Sequence, residues 1–374
     1  MSVIAWLYAL LVGLLILETI KLIRVFLSRA EIKRELPHRY PFVSVIIPAR
    51  NEEKRIASCL QALALQTYPK DRYEIILVDD NSADSTGEII ESFQAEISNF
   101  VSLKAGALPD DWSGKSHACH VGSQAAHGDY LCFMDADVVS KPALLTEAVA
   151  HAVRYSDDVL SLVPYQEVVT LTEKILLLPV FIMVGSSLPK DYPVLNGQFM
   201  LFKRKTYDEI GGHTLVKNTV AEDLDFASFF HGKKYKIEFL FAEHLLSCRM
   251  YDSYAALQKG ISKMIVRLME NKIGKSVWLS ARYFLFACFT AVTMVLFLSG
   301  ITDHLPVFEK IMIITLPVLL FAIAFGLTFY FRIFFLYGLL LPLGWLYQPV
   351  FFYHSIRGKF RKFYEWRGRK VYHE

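Results

Sequence analysis

Apolar and polar positions divide the chain into a short first region, a long middle and an apolar end. Residues 3–20 (VIAWLYALLVGLLILETI) form an apolar run with one late acid, Glu18, about the length a helix needs to cross a hydrocarbon core of ~30 Å. The pattern returns over 277–299, 311–330 and 333–353, each long enough to span. In the middle, FVSVIIPA (42–49) and YEIILVDD (73–80) read as strands, joined by the amphipathic stretch EEKRIASCLQALALQ, which reads as a helix. Ser and Asp residues of NSADST suit the cap of a second helix starting near Ser85. A short strand near 101–104, a helix from Gly114 to Ala126 and a strand YLCFMDADV (130–138) follow. The alternation predicts an α/β fold on a Rossmann-like, mainly parallel sheet with helices on both faces. The expected organisation is an anchor over 1–27, an α/β domain over 41–275, membrane helices over 276–354 and a tail over 355–374.

Charge sets the expected direction of the apolar runs. Lys21, Arg24, Arg29, Lys33, Arg34 and Arg39 follow the first run, the reverse of a cleaved secretory signal. A retained anchor is expected, with its amino terminus outside and the downstream chain in the cytoplasm; a buried core helix is the alternative. At the other end, three full crossings would leave the basic tail IRGKFRKFYEWRGRK outside, against the positive-inside rule. One segment is therefore expected to be re-entrant or interfacial, and 333–353 is the candidate because Pro342, Gly344 and Pro349 interrupt it. A further apolar stretch, 175–188, is broken by Pro179 and Gly185 and reads as interfacial, with a plain core helix as the alternative.

Composition agrees with a membrane protein: 53% of residues are hydrophobic and 21% charged, and mean hydropathy is +0.32. The 40 Lys and Arg against 37 Asp and Glu are too balanced for a nucleic-acid binder. Five cysteines without C-x-x-C spacing argue against a disulfide scaffold or a structural zinc module, and for a reducing compartment.

The clusters PARNEE, VDDNSADST and MDADV fall at the carboxyl ends of predicted strands, where open α/β sheets bind ligands. Neither G-x-G-x-x-G nor a P-loop motif occurs. Asp135 and Asp137, flanking one alanine, suit Mg²⁺ or Mn²⁺ bridging phosphate oxygens, and a turn-capping acid pair fits the same letters. Asp79 and Asp80 are placed to accept hydrogen bonds from a nucleobase or ribose, or to cap the next helix. The loop of Ala49, Arg50, Asn51 and Glu52 offers a cation for phosphate and an acceptor for base or sugar; plain surface charge is the competing reading. Lys115 stands at a helix start whose partial positive charge suits a diphosphate. His117, Cys119 and His120 lack the further ligands that zinc needs. Glu222, Asp223 and Asp225 follow the bend Gly211-Gly212-His213; one of them could take a proton from an attacking hydroxyl, or all could complement a helix dipole.

Taken in order, PARNEE, VDDNSADST, DAD and AED resemble family 2 glycosyltransferases of the GT-A type over about residues 41–275. The flanking apolar segments resemble lipid-acceptor members of that family. WSGKSHACH, CRMYDSYAALQKGISK and EWRGRKVY are similar to membrane-bound carotenoid glycosyltransferases of the diaponeurosporenoate type. The resemblance implies inverting transfer of a hexose, glucose favoured, from a UDP-sugar to a carotenoid or terpenoid hydroxyl or carboxyl group, with Mg²⁺ or Mn²⁺ as cofactor. It implies that Asp80 binds uracil, that Ala49, Arg50, Glu52 and Asp79 line the nucleotide site, and that Lys115 neutralises the diphosphate. Asp135 would face ribose or phosphate, with Asp137 on the metal beside it. Asp223 would be the general base, supported by Glu222. Processive members carry QxxRW, whereas Gln258-Lys259-Gly260-Ile261-Ser262 lacks its Arg and Trp, so a single transfer is expected. Asn196-Gly197-Gln198 is expected to bound the acceptor pocket. The expected setting is a multi-pass protein of the cell membrane with its catalytic domain in the cytoplasm and no nucleic-acid partner. The alternatives are another lipid acceptor (sphingoid, hopanoid or polyprenyl phosphate) and a non-catalytic nucleotide-binding membrane scaffold.

Overall fold

The computed structural model describes residues 3–27, 29–187, 192–219, 221–268, 273–330, 334–360, 363–366 and 369–372. The chain divides into a helical unit (1–29, 168–189 and 251–362) and an α/β unit (30–167, 190–250 and 363–374). In chain order the elements begin with α1 (Val3–Leu27), β1 (Val43–Ala49), α2 (Ile56–Ala64), β2 (Tyr73–Asp79), α3 (Thr86–Gln94), β3 (Phe100–Lys104), α4 (Gly114–Ala125) and β4 (Tyr130–Met134). They continue with β5 (Val138–Ser140), α5 (Leu144–Tyr155), β6 (Val159–Val163), β7 (Tyr165–Gln166), α6 (Leu171–Ser187), β8 (Phe199–Lys203), α7 (Arg204–Glu209) and α8 (Glu222–Phe230). The last are β9 (Ile237–Phe241), β10 (Leu246–Cys248), α9 (Tyr254–Leu268), α10 (Ile273–Leu298), α11 (Val307–Tyr330), α12 (Leu341–Phe360) and the hairpin β11 (Phe363–Trp366) and β12 (Arg369–Tyr372).

In the α/β unit a seven-stranded sheet has the order β3-β2-β1-β4-β8-β6-β9. β1 to β4 pair in parallel, β8 runs antiparallel to both neighbours, and β6 pairs with β9 in parallel. The near-continuous apolar runs of these strands reflect burial on both faces. Alternate side chains sort accordingly: Val45, Ile47, Ile75, Leu77 and Cys132 join one core with α2, α3 and α5. Ile46, Ile76, Val78, Leu131 and Phe133 join a second core with α4, α7 and α8. The expected α/β class, mainly parallel sheet and two-sided helical cover are thus present. Residues 30–32 cover the β9 edge, with Ile32 N donating to Phe241 O at 3.0 Å and Phe241 N to Ala30 O at 2.8 Å.

Two local details depart from the sequence pattern. The stretch 130–138 is two strands, because Asp135-Ala136-Asp137 forms a turn in which Val138 N donates to Asp135 O at 3.2 Å. β5 then leaves the large sheet for a small one of order β5-β10-β7. The helix expected from the start of EEKRIASC begins only at Ile56; residues 52–55 form a turn in which Arg55 N donates to Glu52 O at 2.9 Å.

In the helical unit, Tyr8 Oη and Thr293 Oγ1 lie 2.8 Å apart and Glu18 pairs with Arg282 at 2.7 Å. Contacts that advance along α1 while retreating along α10 make the two antiparallel, so the exit of α1 and the entry of α10 share one face of this unit. α6 runs unbroken through Pro179 with Leu176, Leu177, Leu178, Val180, Ile182 and Met183 buried, which matches the core-helix alternative for that stretch. Proline has no N–H for the carbonyl four residues back, and that carbonyl, Ile175 O, faces Gly344 of α12, where a Cβ would come within 2.2 Å. The irregular backbone expected across Pro342, Gly344 and Pro349 is confined to a 3-10 turn at Phe335–Leu340, and α12 is helical beyond it. Pro342 sits in the first turn, where a missing donor costs nothing. Ser280–Leu298, Val307–Phe329 and Phe335–Arg357 are long and apolar enough to cross a membrane.

Candidate active site

The first two strand ends form one interlocked loop pair. Asp80 N donates to Ala49 O at 2.8 Å, holding the end of β2 against the end of β1. Arg50 Nη1 donates to the carbonyls of Asp80 and, at 2.8 Å, Asn81. Glu52 N donates to Thr86 Oγ1 at 2.8 Å, and Asn51 Oδ1 accepts from Ala83 N at 2.8 Å. Asp79 Oδ1 accepts from Ser82 N and Ser82 Oγ at 3.0 and 2.6 Å, so this carboxylate closes the turn after β2; it does not cap α3, whose N-cap is Ser85. Ala49, Arg50, Glu52, Asp79 and Asp80 are therefore together, and both Asp79 and Asp80 are buried.

A second cluster lies at the end of β4. Ser113 caps α4 by accepting from Ser116 N at 3.3 Å, which sets Lys115 in the first turn. Lys115 Nζ reaches Asp135 Oδ1 at 2.6 Å and also contacts Glu222 Oε1. Burial works against its charge, but Asp135 and Glu222 prevail and hold the ammonium well above its ordinary range. Asp135 is pushed up to about 7 by burial, with Asp137 and Glu222 adding to the rise and Lys115 opposing it.

Asp223 follows at the start of α8. Gly197 N donates to its Oδ2 at 3.0 Å and Leu224 N to its Oδ1 at 2.8 Å. Burial and then Glu222 raise its pKa, while Lys115 and these two N–H groups pull it down. The result is an oriented carboxylate with raised basicity, the attributes of a general base. Asp135, Lys115, Glu222 and Asp223 thus converge, although more than 100 residues separate Lys115 from Asp223.

The sequence assigned no catalytic role to Gly197, Gln198, Cys248 or His213. A Cβ on Gly197 would lie 3.0 Å from Glu222 Oε1, 3.3 Å from Lys115 Nζ and 3.5 Å from Asp223 Oδ2, so this glycine is the point around which the charges gather. Gln198 Nε2 donates to Cys248 Sγ at 3.0 Å. Burial, with Asp137 and Asp135 close by, raises the Cys248 thiol well above its usual range. The signals were present as the tripeptide Asn196-Gly197-Gln198, the bend Gly211-Gly212-His213 and an isolated cysteine, and neither spacing nor periodicity gives such residues a task.

Asp137 Oδ1 is buried without a hydrogen-bond partner among the described residues, and Asp135 stands beside it with its side chain 28% exposed. No group of three or more His, Cys, Asp or Glu side chains arranged for a metal occurs among the described residues. Two hard carboxylate ligands and open remaining positions are the donor set by which Mg²⁺ or Mn²⁺ is shared between protein and substrate phosphates. The residues fit such an ion.

Residues 44–211 match the model of glycosyl transferase family 2. The chain carries a family 2 glycosyltransferase domain. It is 30% identical over 220 residues to 4,4'-diaponeurosporenoate glycosyltransferase of Staphylococcus haemolyticus (strain JCSC1435), which covers 56% of this chain and 57% of that protein. It is 41% identical over 97 residues to glycosyltransferase AglE of Haloferax volcanii, 26% of this chain and 31% of that protein. The chain therefore spans less than two thirds of the length of these relatives. Among solved structures, mannosyltransferase PcManGT from Pyrobaculum calidifontis, in complex with GDP-Man and Mn²⁺, superposes with a TM-score of 0.54 at 16% identity, over 96% of this chain and 99% of that one. That likeness shows the fold, which is GT-A. In the family 2 domain the loop pair, Lys115 and the DAD turn lie inside the matched residues, while Glu222 and Asp223 lie beyond them.

Proposed function

We propose that the chain is a membrane-bound, metal-dependent glycosyltransferase that moves one hexose, glucose favoured, from a UDP-sugar to a carotenoid or terpenoid acceptor. The observation that carries this reading is Asp223, held by two backbone N–H groups beside the Lys115–Asp135–Glu222 cluster in a family 2 domain. The relative named for 4,4'-diaponeurosporenoate supports the acceptor class, and the absence of QxxRW supports a single transfer.

Asp223 takes the proton of an acceptor hydroxyl as that oxygen attacks the anomeric carbon. The bond from that carbon to the diphosphate oxygen breaks, and UDP leaves with the electron pair. Lys115 counters charge gathering on the diphosphate. A divalent ion held by Asp135 and Asp137 would supply further charge stabilisation at the same oxygens. The loop pair of Arg50 and Asp80 holds the nucleoside. A carboxylate acceptor has no proton to give, so dependence on Asp223 separates a hydroxyl acceptor from a carboxylate one.

The basic residues after α1, together with the shared face of the α1 exit and α10 entry, support a cytoplasmic catalytic domain. The test is transfer of radiolabelled glucose from UDP-glucose into organic-extractable lipid by membranes of a carotenoid-producing host. Label in a pigmented band, lost in Asp223→Asn, is the expected result. Label in a colourless lipid would replace the acceptor, and no label from any UDP- or GDP-hexose would refute the activity.

A further inference from the structure

The mechanism above leaves unused the buried amide that follows Gly197. The orientation of the Gln198 side chain, buried at 7% exposure, follows from the backbone. Gln198 N donates to Asn196 Oδ1 at 3.0 Å. A backbone N–H can only donate, so Asn196 turns its Nδ2 toward the Gln198 side chain. Nδ2 donates to Gln198 Oε1 at 3.1 Å, and Gln166 Nε2 donates to the same oxygen at 2.8 Å. Gln198 Nε2 is thereby directed to Cys248, donating to Sγ at 3.0 Å.

The two residues clamped by this amide belong to the small sheet that leaves the metal turn. Gln166 of β7 and Cys248 of β10 are partners in register, and Cys248 is also the partner of Val138, the first residue of β5. Val138 directly follows Asp137. At the entry of the same turn, Asp135 N donates to Gln198 O at 3.3 Å. The residue before Gln198 gives its own N–H to Asp223, Gly197 N to Oδ2 at 3.0 Å. The tripeptide therefore joins both ends of the Asp135-Ala136-Asp137 turn to the carboxylate on α8, and the Gln198 amide fixes the tripeptide.

We propose that Gln198 is a positioning residue whose clamped amide holds the Asp135-Ala136-Asp137 turn and the Asp223 carboxylate in one frame. The role deepens the glycosyltransferase reading, and its catalytic half rests on that reading. Attack and departure lie in line across the anomeric carbon, so the base and the groups on the diphosphate must keep their relative places. A displacement of about 1 Å between them costs on the order of 10²-fold in rate. Cys248 serves this frame as a hydrogen-bond acceptor.

The test uses the full chain purified in detergent as wild type and three variants. Gln198→Met keeps the length and loses the amide, Cys248→Ser keeps an acceptor for Nε2, and Cys248→Ala does not. Amide hydrogen exchange, read by peptide mass spectrometry, needs no turnover. Peptides holding Asp135 and Gly197 should exchange about tenfold faster in Gln198→Met and Cys248→Ala, and within about twofold of wild type in Cys248→Ser. Peptides of β1 should exchange alike in all four chains. Transfer from UDP-glucose reads the catalytic half. Burial and Glu222 raise the Asp223 pKa, whereas Lys115 and the Gly197 and Leu224 N–H groups lower it. Slackening the Gly197 bond removes one lowering influence, so the acid limb of kcat/KM should move up by about half to one pH unit in Gln198→Met. A side chain that only fills space would leave that limb in place, and would rank alanine equal to or above serine at position 248. An unmoved limb, or serine no better than alanine in exchange, overturns the proposal, and the second comparison decides if Gln198→Met does not fold. A wild type that transfers no hexose while the exchange pattern holds refutes the glycosyltransferase reading and leaves the frame standing.

Discussion

Replacing Gly197 by alanine separates stability from catalysis. The added methyl would stand 3.0 Å from Glu222 Oε1 and 3.3 Å from Lys115 Nζ, so the carboxylate must retreat by a few tenths of an ångström. Gly197 is not among the glycines with positive φ, so alanine meets no backbone strain and narrows the unfolded ensemble by about 0.4–1 kcal/mol. Moving Glu222 weakens a charge-assisted contact with Lys115 of about 1.5–3 kcal/mol. Loss of roughly half of it, about 0.75–1.5 kcal/mol, offsets the entropic gain in stability and lowers kcat/KM by about 3.5- to 13-fold. The assay pairs a thermal melt of the detergent-purified chain with radiolabelled hexose transfer by the same preparation. The melting temperature should hold within about 3 °C while transfer falls. Transfer within twofold of wild type would refute the placement of Gly197 among the reacting groups.

Acidity gives a second test. Asp223 must be ionised to accept a proton, and its pKa is raised first by burial and then by Glu222, so kcat/KM should climb with pH through a limb above the usual carboxylate range. A limb at ordinary carboxylate pH would contradict that environment. The sign for stability is opposite: between the unfolded and the raised folded pKa the folded chain binds the extra proton, and the stability this gives is lost as pH rises through the folded value. Asp223→Asn cannot ionise, and its amide nitrogen cannot accept from one of the two backbone N–H groups that now bond the carboxylate; it should transfer about 10²- to 10⁴-fold more slowly to a hydroxyl acceptor. Chelation should abolish transfer, with recovery on adding Mn²⁺ or Mg²⁺, and Asp137→Ala should lose that recovery; full activity in chelator would refute the metal reading. Gly344→Ala brings a Cβ to 2.2 Å from Ile175 O and should destabilise the helical unit by about 1–3 kcal/mol, seen as a lower melting temperature.

The sequence by itself determined what repeats along the chain or sits next to itself. Strands β1, β2 and β4 were legible because burial on both faces demands unbroken apolar runs, as in Val43–Ala49. The polar clusters at their ends were legible because a parallel sheet gathers its loops on one side. The antiparallel β8 and the small sheet holding Cys248 were not, since short apolar runs such as Phe199–Lys203 carry no mark of direction or partner. Spacing alone named acids without ranking their tasks; only the family resemblance assigned Asp223, Asp80 and Asp137 their parts. Folding supplied the ranking: Asp79 closes a turn through Ser82, while Asp223 takes two backbone N–H groups from Gly197 and Leu224. Whether an acid closes a turn or stands ready for a proton depends on which distant donors, charges and apolar walls surround it. Those neighbours come from β8, α4 and the Gly211-Gly212 bend, far apart in the chain and brought together only by packing on both faces of one sheet.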